Sequence, residues 1–171
     1  VSGDAGTLWT RRVPPANPGL TTQAWYAGNS TTTADQRLTS PTIVLPAAAQ
    51  SPIFLDFDAY HQYETDGGTD CYDGGHVEIS TNGGGTFTPL TNARNVTDPY
   101  LGVLSAGNPA QGTQAWCRQP TAGTSIRTVF LLDDFAGQSV QLRFRSTADI
   151  NTIAPTPNGW AIDNIQVSGC Q

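Results

Sequence analysis

Apolar and polar side chains alternate with a period of two in several parts of this chain. In Ile53–Tyr60 an apolar residue takes every second position. Ser139–Arg145 places Val, Leu and Phe opposite Gln and two Arg, and His76–Ser80 repeats the pattern with Val77 and Ile79. Such alternation is typical of strands with one buried face, so these three segments are predicted strands.

Further segments complete an all-β pattern. Thr128–Leu132 is an apolar run, which predicts a strand buried on both faces. Thr81–Gly85 (TNGGG) predicts a hairpin turn into Thr86–Leu90, because Asn-Gly supplies the positive φ angles that such turns need. Pro41–Leu45 and Trp160–Val167 bring the count to seven or eight strands, and no segment of ten or more residues has helical spacing. The predicted fold class is all-β, a two-sheet antiparallel jelly-roll sandwich.

The last predicted strand changes phase. If Ile165 and Val167 face the core, Asp163 faces it too; if Trp160 and Ile162 face it, the alternation slips beside Asp163. Either a carboxylate points inward or a β-bulge interrupts the strand. A buried carboxylate needs a partner, which a cation, an arginine or backbone amides can supply.

Composition supports short strands joined by many turns. The chain has 171 residues with 18 Gly and 12 Pro, and only 13% are charged. We expect one domain over residues 1–171, long enough to bury a core. The net charge of −6 argues against a nucleic-acid partner, and without a run of eighteen apolar residues we expect no membrane span.

Glu64–Ser80 (ETDGGTDCYDGGHVEIS) has the highest density of acidic residues, with five of them beside four glycines. Carboxylates and carbonyls at glycine turns are the oxygen ligands that Ca²⁺ prefers. The segment lacks the ligand spacing of an EF-hand. It predicts a structural calcium site at Glu64, Asp66, Asp70 and Asp73, with a solvated acidic turn as the alternative.

Other chemistry has less support in the sequence. His61, His76 and Cys71 are zinc-type ligands, but their spacing matches no zinc motif. No GxSxG nucleophile elbow is present, and the adjacent pair Asp133 and Asp134 would point to opposite sides of a strand. We therefore expect no catalytic residues.

The three cysteines favour an oxidising compartment. We predict a Cys71–Cys117 disulfide, because both residues lie in Gly- and Pro-rich loop sequence, and a leftover Cys170 near the end of the chain. Three free thiols remain the alternative.

Several motifs occur in an order that resembles a known family. They are LTSPTIVLP (38–46), LDFDAYHQYE (55–64), YDGGHVEIS (72–80) followed by TNGGGTFTPL, GTQAW (112–116), and FAGQSVQLRFR (135–145) ending in GWAIDNIQV (159–167). Over about residues 35–168 the chain resembles the MAM-like jelly-roll domain of secreted bacterial metallopeptidases of the immune inhibitor A type and of related exoproteins.

The resemblance implies a sandwich that accompanies a catalytic domain and binds structural calcium. It implies acidic ligand roles for Glu64, Asp73 and Asp163, and Asp4 corresponds to an N-terminal acidic position. The chain departs from the family by having Phe87 where Trp is frequent, and by its cysteine pair.

We therefore expect a non-catalytic, calcium-stabilised accessory module of a secreted hydrolase, a peptidase by resemblance. Its partners would be the catalytic domain of the same parent chain and a polysaccharide or protein substrate. One alternative is a carbohydrate-binding module, because aromatic rings stack on sugars; its candidate residues are Tyr60, Tyr63, Tyr72, Trp116 and Arg118. Another alternative is a self-associating adhesion domain. Asn29-Ser-Thr and Asn95-Val-Thr are formal glycosylation sequons.

Overall fold

Thirteen strands make up the described part of the chain. The computed structural model describes residues 8–15, 19–20, 22–120, 124–150 and 159–170. In chain order the strands are β1 (Thr10–Arg12), β2 (Ala24–Gly28), β3 (Ala34–Thr39), β4 (Ile43–Val44), β5 (Ile53–Gln62), β6 (Asp70–Cys71), β7 (Gly74–Ser80), β8 (Thr88–Pro89), β9 (Gly102–Leu104), β10 (Gln114–Ala115), β11 (Ile126–Leu131), β12 (Ser139–Ala148) and β13 (Gly159–Gly169). Two short 3₁₀ turns, Ala48–Gln50 and Asp133–Phe135, lie between them.

The strands form two large antiparallel sheets, which confirms the predicted sandwich. The first sheet has the order β1-β2-β13-β5-β11, and the second has the order β3-β12-β7-β8, with β4 also paired to β12. A small third sheet, β10-β9-β6, contains the parallel pair β6 and β9. None of the helices in the described ranges has the length and apolar character needed to cross a bilayer.

Aromatic rings from both sheets fill the space between them. Phe57 of β5 lies edge-on to Phe144 of β12, with ring centroids 5.1 Å apart. Trp160 of β13 packs against Phe144 and Trp116, and its ring approaches the backbone of β7 at Gly75. A Cβ at Gly75 would lie 2.5 Å from Cε3 of Trp160, so only glycine leaves room for this ring.

The segments with clear alternation are strands as predicted, at β5, β7 and β12. The turn between β7 and β8 is the predicted hairpin, although Gly83 and Gly84 take the positive φ angles and Asn82 does not. The prediction for Thr128–Leu132 was wrong in part. Burial alternates along β11 because it is the edge strand of the first sheet, with one face towards the core.

The phase slip predicted at Asp163 is a β-bulge. The register of β13 against β5 shifts between Asp163 and Gln166, and Asn164 has a φ of 51°. Trp160 and Ile162 therefore face the core, while Asp163 lies directly opposite Asp58 of β5. Phe57 and Ala59, the neighbours of Asp58, are buried in the core, so this pair of aspartates lies on the outer face of the sheet.

The outer face of the second sheet carries a cluster of charged side chains. Arg143 and Arg145 of β12 both donate to Glu78 of β7, over 2.5 Å and 3.2 Å. Arg145 also makes a two-pronged ion pair with Asp35 of β3, with both distances 2.9 Å. Every residue of β7 is buried, so Glu78 is held in a place where an isolated carboxylate would be costly.

The environment of this cluster shifts the pKa values of its members. Burial alone would raise the pKa of Glu78, but hydrogen bonds from His76 and Arg143 more than offset it and lower the pKa to about 2. Burial lowers the pKa of His76, whose Nε2 lies 3.2 Å from Glu78. Arg143 is further held over the ring of Phe87, 3.8 Å from its centroid, where the family resemblance leads one to expect Trp.

The Cys71–Cys117 disulfide is present as predicted. Both cysteines are fully buried, and their Cα atoms are 5.6 Å apart. Cys170 is free and exposed. The bridge ties β6 to the segment that carries Trp116 into the core.

We expect removal of this bridge to cost about 4 kcal/mol of unfolding free energy, because its partners are 46 residues apart and the bridge restricts the unfolded chain. Urea unfolding of Cys71→Ala/Cys117→Ala, compared with Cys170→Ala as control, measures this. An unchanged midpoint in the double variant would show that the loop is held by packing alone.

We expect Glu78→Gln to lower the unfolding free energy at pH 7 by about 3 kcal/mol, because it removes the buried carboxylate that two half-buried guanidinium groups share. Since the folded pKa of Glu78 lies below its ordinary value of 4.5, its contribution is present above that pH and is lost as the pH falls towards 2. The difference in unfolding free energy between the variant and the parent chain should therefore become smaller between pH 4.5 and pH 2, as measured by urea unfolding at several pH values.

Asp134→Asn is the matched control for Glu78→Gln. Its carboxylate pairs with Arg94 but is 69% exposed, so we expect a loss below about 1 kcal/mol. If the difference in unfolding free energy between Glu78→Gln and the parent chain stays constant down to pH 2, the role given to the Glu78 carboxylate is contradicted.

Candidate functional site

The acidic loop that the sequence singles out is closed largely by its own backbone. The carbonyl oxygen of Glu64 accepts hydrogen bonds from the N–H groups of Tyr72 and Asp73, and the N–H of Asp66 donates to the carbonyl of Asp70. The Asp66 side chain accepts from the N–H of Gly68 over 2.7 Å. Asp66 and Asp70 are exposed, while Glu64 is half-buried and Asp73 is fully buried.

Asp73 is the acidic residue of this loop that reaches the interior. Its Oδ2 accepts from the side-chain amide of Asn29 over 2.7 Å, and its Oδ1 accepts from the N–H of Asp149 over 2.8 Å. Asn29 follows β2 and Asp149 follows β12, while Asp73 directly precedes β7. One carboxylate therefore joins the ends of strands from both sheets.

More polar groups lie on the inner side of the same end of the sandwich. Gln36 of β3 is 2% exposed, and its amide nitrogen donates to the carbonyl of Gly28 over 2.8 Å, next to Asn29. Its Oε1 is buried and has no hydrogen-bond partner. The hydroxyl groups of Tyr63 and Ser146 lie 2.7 Å apart in the same layer, and burial raises the pKa of Tyr63.

This layer is rich in oxygen atoms, and its side chains are buried. A cavity of about 230 Å³, lined in part by Gln36, Asn29 and Arg12, lies beside it. A buried amide oxygen without a donor costs about 1–3 kcal/mol, and a hard cation can compensate it. Among the side-chain oxygens of Asp73, Asn29 and Gln36, Oε1 of Gln36 is the one without a donor, because both Asp73 oxygens and Oδ1 of Asn29 accept hydrogen bonds.

The structure does not bring all the predicted metal ligands together. Asp163 lies four residues along β13 from Gly159, the residue that pairs with Gly28, which is about 13 Å along a strand. It also faces outward, beside Asp58. Asp4 lies outside the described residues. Within the described ranges, no group of three His, Cys, Asp and Glu side chains is arranged to hold a metal ion, so a cation at Asp73 would also need amide or carbonyl oxygens.

His61 is a structural residue of the core. It is 3% exposed and stacks on Trp116, and its two ring nitrogens face the carbonyl of Arg118 and the carboxylate of Asp98. Asp98 also accepts from the hydroxyl of Thr128, so these contacts hold the segment around Asp98 against β11. The residues considered as zinc ligands are engaged elsewhere, because His76 is buried beside Glu78 and Cys71 is in the disulfide.

The aromatic residues proposed for sugar stacking are mostly core residues, and this part of the prediction was wrong. Trp116 is 1% exposed, Tyr63 is 4% and Tyr60 is 7%, so none offers a ring face to a ligand. Tyr72 is exposed. Arg118 is half-buried, and its Nη2 atom is buried without a hydrogen-bond partner.

The two sequon asparagines are part of the fold. The side-chain nitrogen of Asn29 donates to Asp73, and that of Asn95 donates to the carbonyl of Asp98. A glycan on either nitrogen would break these contacts. Gln36 was not among the predicted site residues, although Ala34, Gln36 and Leu38 share one phase of β3 and all three are buried.

Comparison with known proteins gives a fold likeness. No protein-family model matches the chain. A solved structure that is similar to it is the K3 cleaved adhesin domain of Lys-gingipain from Porphyromonas gingivalis W83, with 16% sequence identity and a TM-score of 0.46. The match covers 98% of this chain and 90% of that one. Similarity at this level does not indicate a function for this chain. A function therefore has to be argued from its own side chains.

Proposed function

We propose that this chain is a non-catalytic, calcium-stabilised accessory module of a secreted hydrolase, and that the hydrolase is a peptidase. The observation that carries the non-catalytic role is the use of the titratable interior groups as structural supports. His61 and Asp98 hold one loop, and Glu78 is held by Arg143 and Arg145. Catalysis needs such groups within reach of a substrate, and these are buried and engaged.

Calcium is the cation that best suits the end of the sandwich around Asp73. It takes six to eight oxygen ligands, including amide and backbone oxygens as well as carboxylates. The buried carboxylate of Asp73 and the unpartnered oxygen of Gln36 support such a site, with Asn29 beside them. Glu64 and Asp4 stay in the proposed ligand set on the family resemblance.

Secretion and the accessory role rest on two observations. The Cys71–Cys117 disulfide favours an oxidising compartment. The ordered motifs over about residues 35–168 resemble domains that accompany secreted metallopeptidases. Carbohydrate binding is less favoured, because most of its aromatic candidates are buried in the core.

We expect Ca²⁺ to raise the melting temperature after EDTA treatment, because a ligand that binds only the folded state stabilises it by mass action, by about 2.7 kcal/mol at 100 times its Kd. Asp73→Asn should remove this calcium-dependent rise. Asp66→Asn is the matched control: Asp66 is exposed, and we expect its variant to keep the rise. The measurement is a thermal melt over a Ca²⁺ titration.

Gln36→Met provides a second test if Asp73→Asn does not fold. It keeps the length and burial of the side chain but removes the amide oxygen, so the calcium-dependent rise should become smaller. A melting temperature that does not change in millimolar Ca²⁺, or a rise that survives in folded Asp73→Asn, would refute the calcium site.

The accessory role predicts a difference between small and large substrates. We expect deletion of residues 1–171 from the full-length parent polypeptide to leave kcat/KM for a short soluble peptide within about twofold, because the catalytic domain is intact. Hydrolysis of a large protein substrate should fall by about tenfold, because a second attachment point is lost. Hydrolysis of peptide, ester or glycoside substrates by the isolated chain would contradict the proposal.

A further inference from the structure

One half of β13 forms an open edge of the first sheet. β2 pairs with β13 only from Gly159 to Ile162, where Ile162 faces Trp25. From Gln166 to Gly169, β13 pairs with β5 on one side. Within the described ranges no strand pairs with its other side, so main-chain N–H and C=O groups there are available to a further strand.

The other sheet edges in the described part of the chain are protected. β1 and β8 are only three and two residues long, and β8 ends in Pro89. β3 carries Asp35 and Arg37. β11 is covered by the segment before it, since the N–H of Val96 donates to Val129 and that of Leu131 donates to Arg94. Short length, proline, charge, β-bulges and covering loops are the usual ways of preventing strand addition. The open half of β13 is four residues long and begins at the bulge, but within the described ranges it has no proline, no charged side chain and no covering segment.

An apolar groove lies directly beside this open edge. Its volume is about 460 Å³, within the range of ligand sites. It runs between the two sheets where β2 no longer covers β13, and its lining is Trp25, Leu38, Thr39, Ser40, Pro41, Ile43, Leu142, Phe144, Ile165, Gln166 and Val167. None of these side chains is charged. Ile165 on the rim is 38% exposed.

We propose that the open half of β13 and this groove form a strand-addition site for an uncharged, extended segment of another protein chain. The main-chain groups of β13 select an extended backbone, because only a strand can pair with them along their length. Every second side chain of an added strand would point into the groove, and its lining selects apolar ones. The bulge ends at Gln166, so the site has room for about four or five paired residues.

A second copy of this chain suits the groove less well than a foreign strand. Val167, the inward residue of the open half, already packs against the core of its own sandwich. If two copies paired through this edge, Val167 of each copy would remain packed in its own sandwich. It would not contact Leu142 and Phe144 in the groove of the other copy. The side chains of a strand from another protein are not already packed in a core, so they can enter the groove.

The test uses the ¹⁵N-labelled chain and a capped synthetic peptide of sequence Thr-Val-Thr-Val-Thr-Val-Thr as the probe. We expect chemical-shift changes in the amides of Ile165–Gly169 and in the indole of Trp25. A peptide with Pro at the central position, which lacks one N–H donor and resists pairing, should produce no changes.

Ile165→Asp should weaken the affinity for the probe by about tenfold or more, because it places a charge at the rim of an apolar groove. Val103→Asp is the matched control. The exposed fraction of Val103, 41%, is similar to the 38% of Ile165. Val103 lies on β9 in the small sheet and outside the groove. Its variant should bind the probe within about twofold of the parent chain.

Three results would overturn the proposal: shift changes that map elsewhere, equal weakening by both variants, or equal binding of the proline peptide. Concentration-dependent dimers in sedimentation, abolished by Ile165→Asp, would show instead that a second copy occupies the edge. The experiment needs neither calcium nor a parent hydrolase, so its failure is separate from failure of the proposed function.

Discussion

The packing of Trp116 is the interaction on which the rest of the structure depends. This residue directly follows β10, in the long segment between β8 and β11. It is 1% exposed, and its ring packs against those of Tyr100 and Trp160. Its backbone exchanges two hydrogen bonds with Gly75 of β7. The neighbouring Cys117 is bonded to Cys71. Part of the segment between β8 and β11 therefore belongs to the core.

Burial of this connection explains why the polar groups of the chain act as supports. The indole of Trp116 donates to the carbonyl of Asp98, and the Asp98 carboxylate receives His61 and Thr128. The carbonyl of Pro109 accepts from Arg145, which holds Glu78. Each buried charge is costly unless it is paired, so these pairings commit the groups to structure.

The two proposed sites lie in different parts of the sandwich because the cover that β2 gives to β13 ends at Ile162. Where β2 accompanies β13, the sheets close around the polar layer with Asp73, Asn29 and Gln36, and the buried oxygens there suit a cation. Beyond Ile162 that cover ends, and the same strand presents unpaired backbone beside apolar side chains. Buried oxygen atoms at strand ends favour binding of a cation, whereas unpaired main-chain groups at a sheet edge favour pairing with another strand.

The sequence by itself determined the strands with clear alternation, β5, β7 and β12, because alternation depends on residues only two positions apart. It did not indicate strands β1, β2, β3, β6, β9 and β10. It also limited the phase change beside Asp163 to a bulge or an inward carboxylate, and it favoured the Cys71–Cys117 disulfide over free thiols. The tertiary structure decided which side chains meet. Asn29 and Asp73 are 44 residues apart, and Asp73 and Asp149 are 76 apart, so their contact depends on sheet order and on how the strands end. Trp116 and the open edge of β13 were decided in the same way, since local pattern does not encode which strand lies beside which.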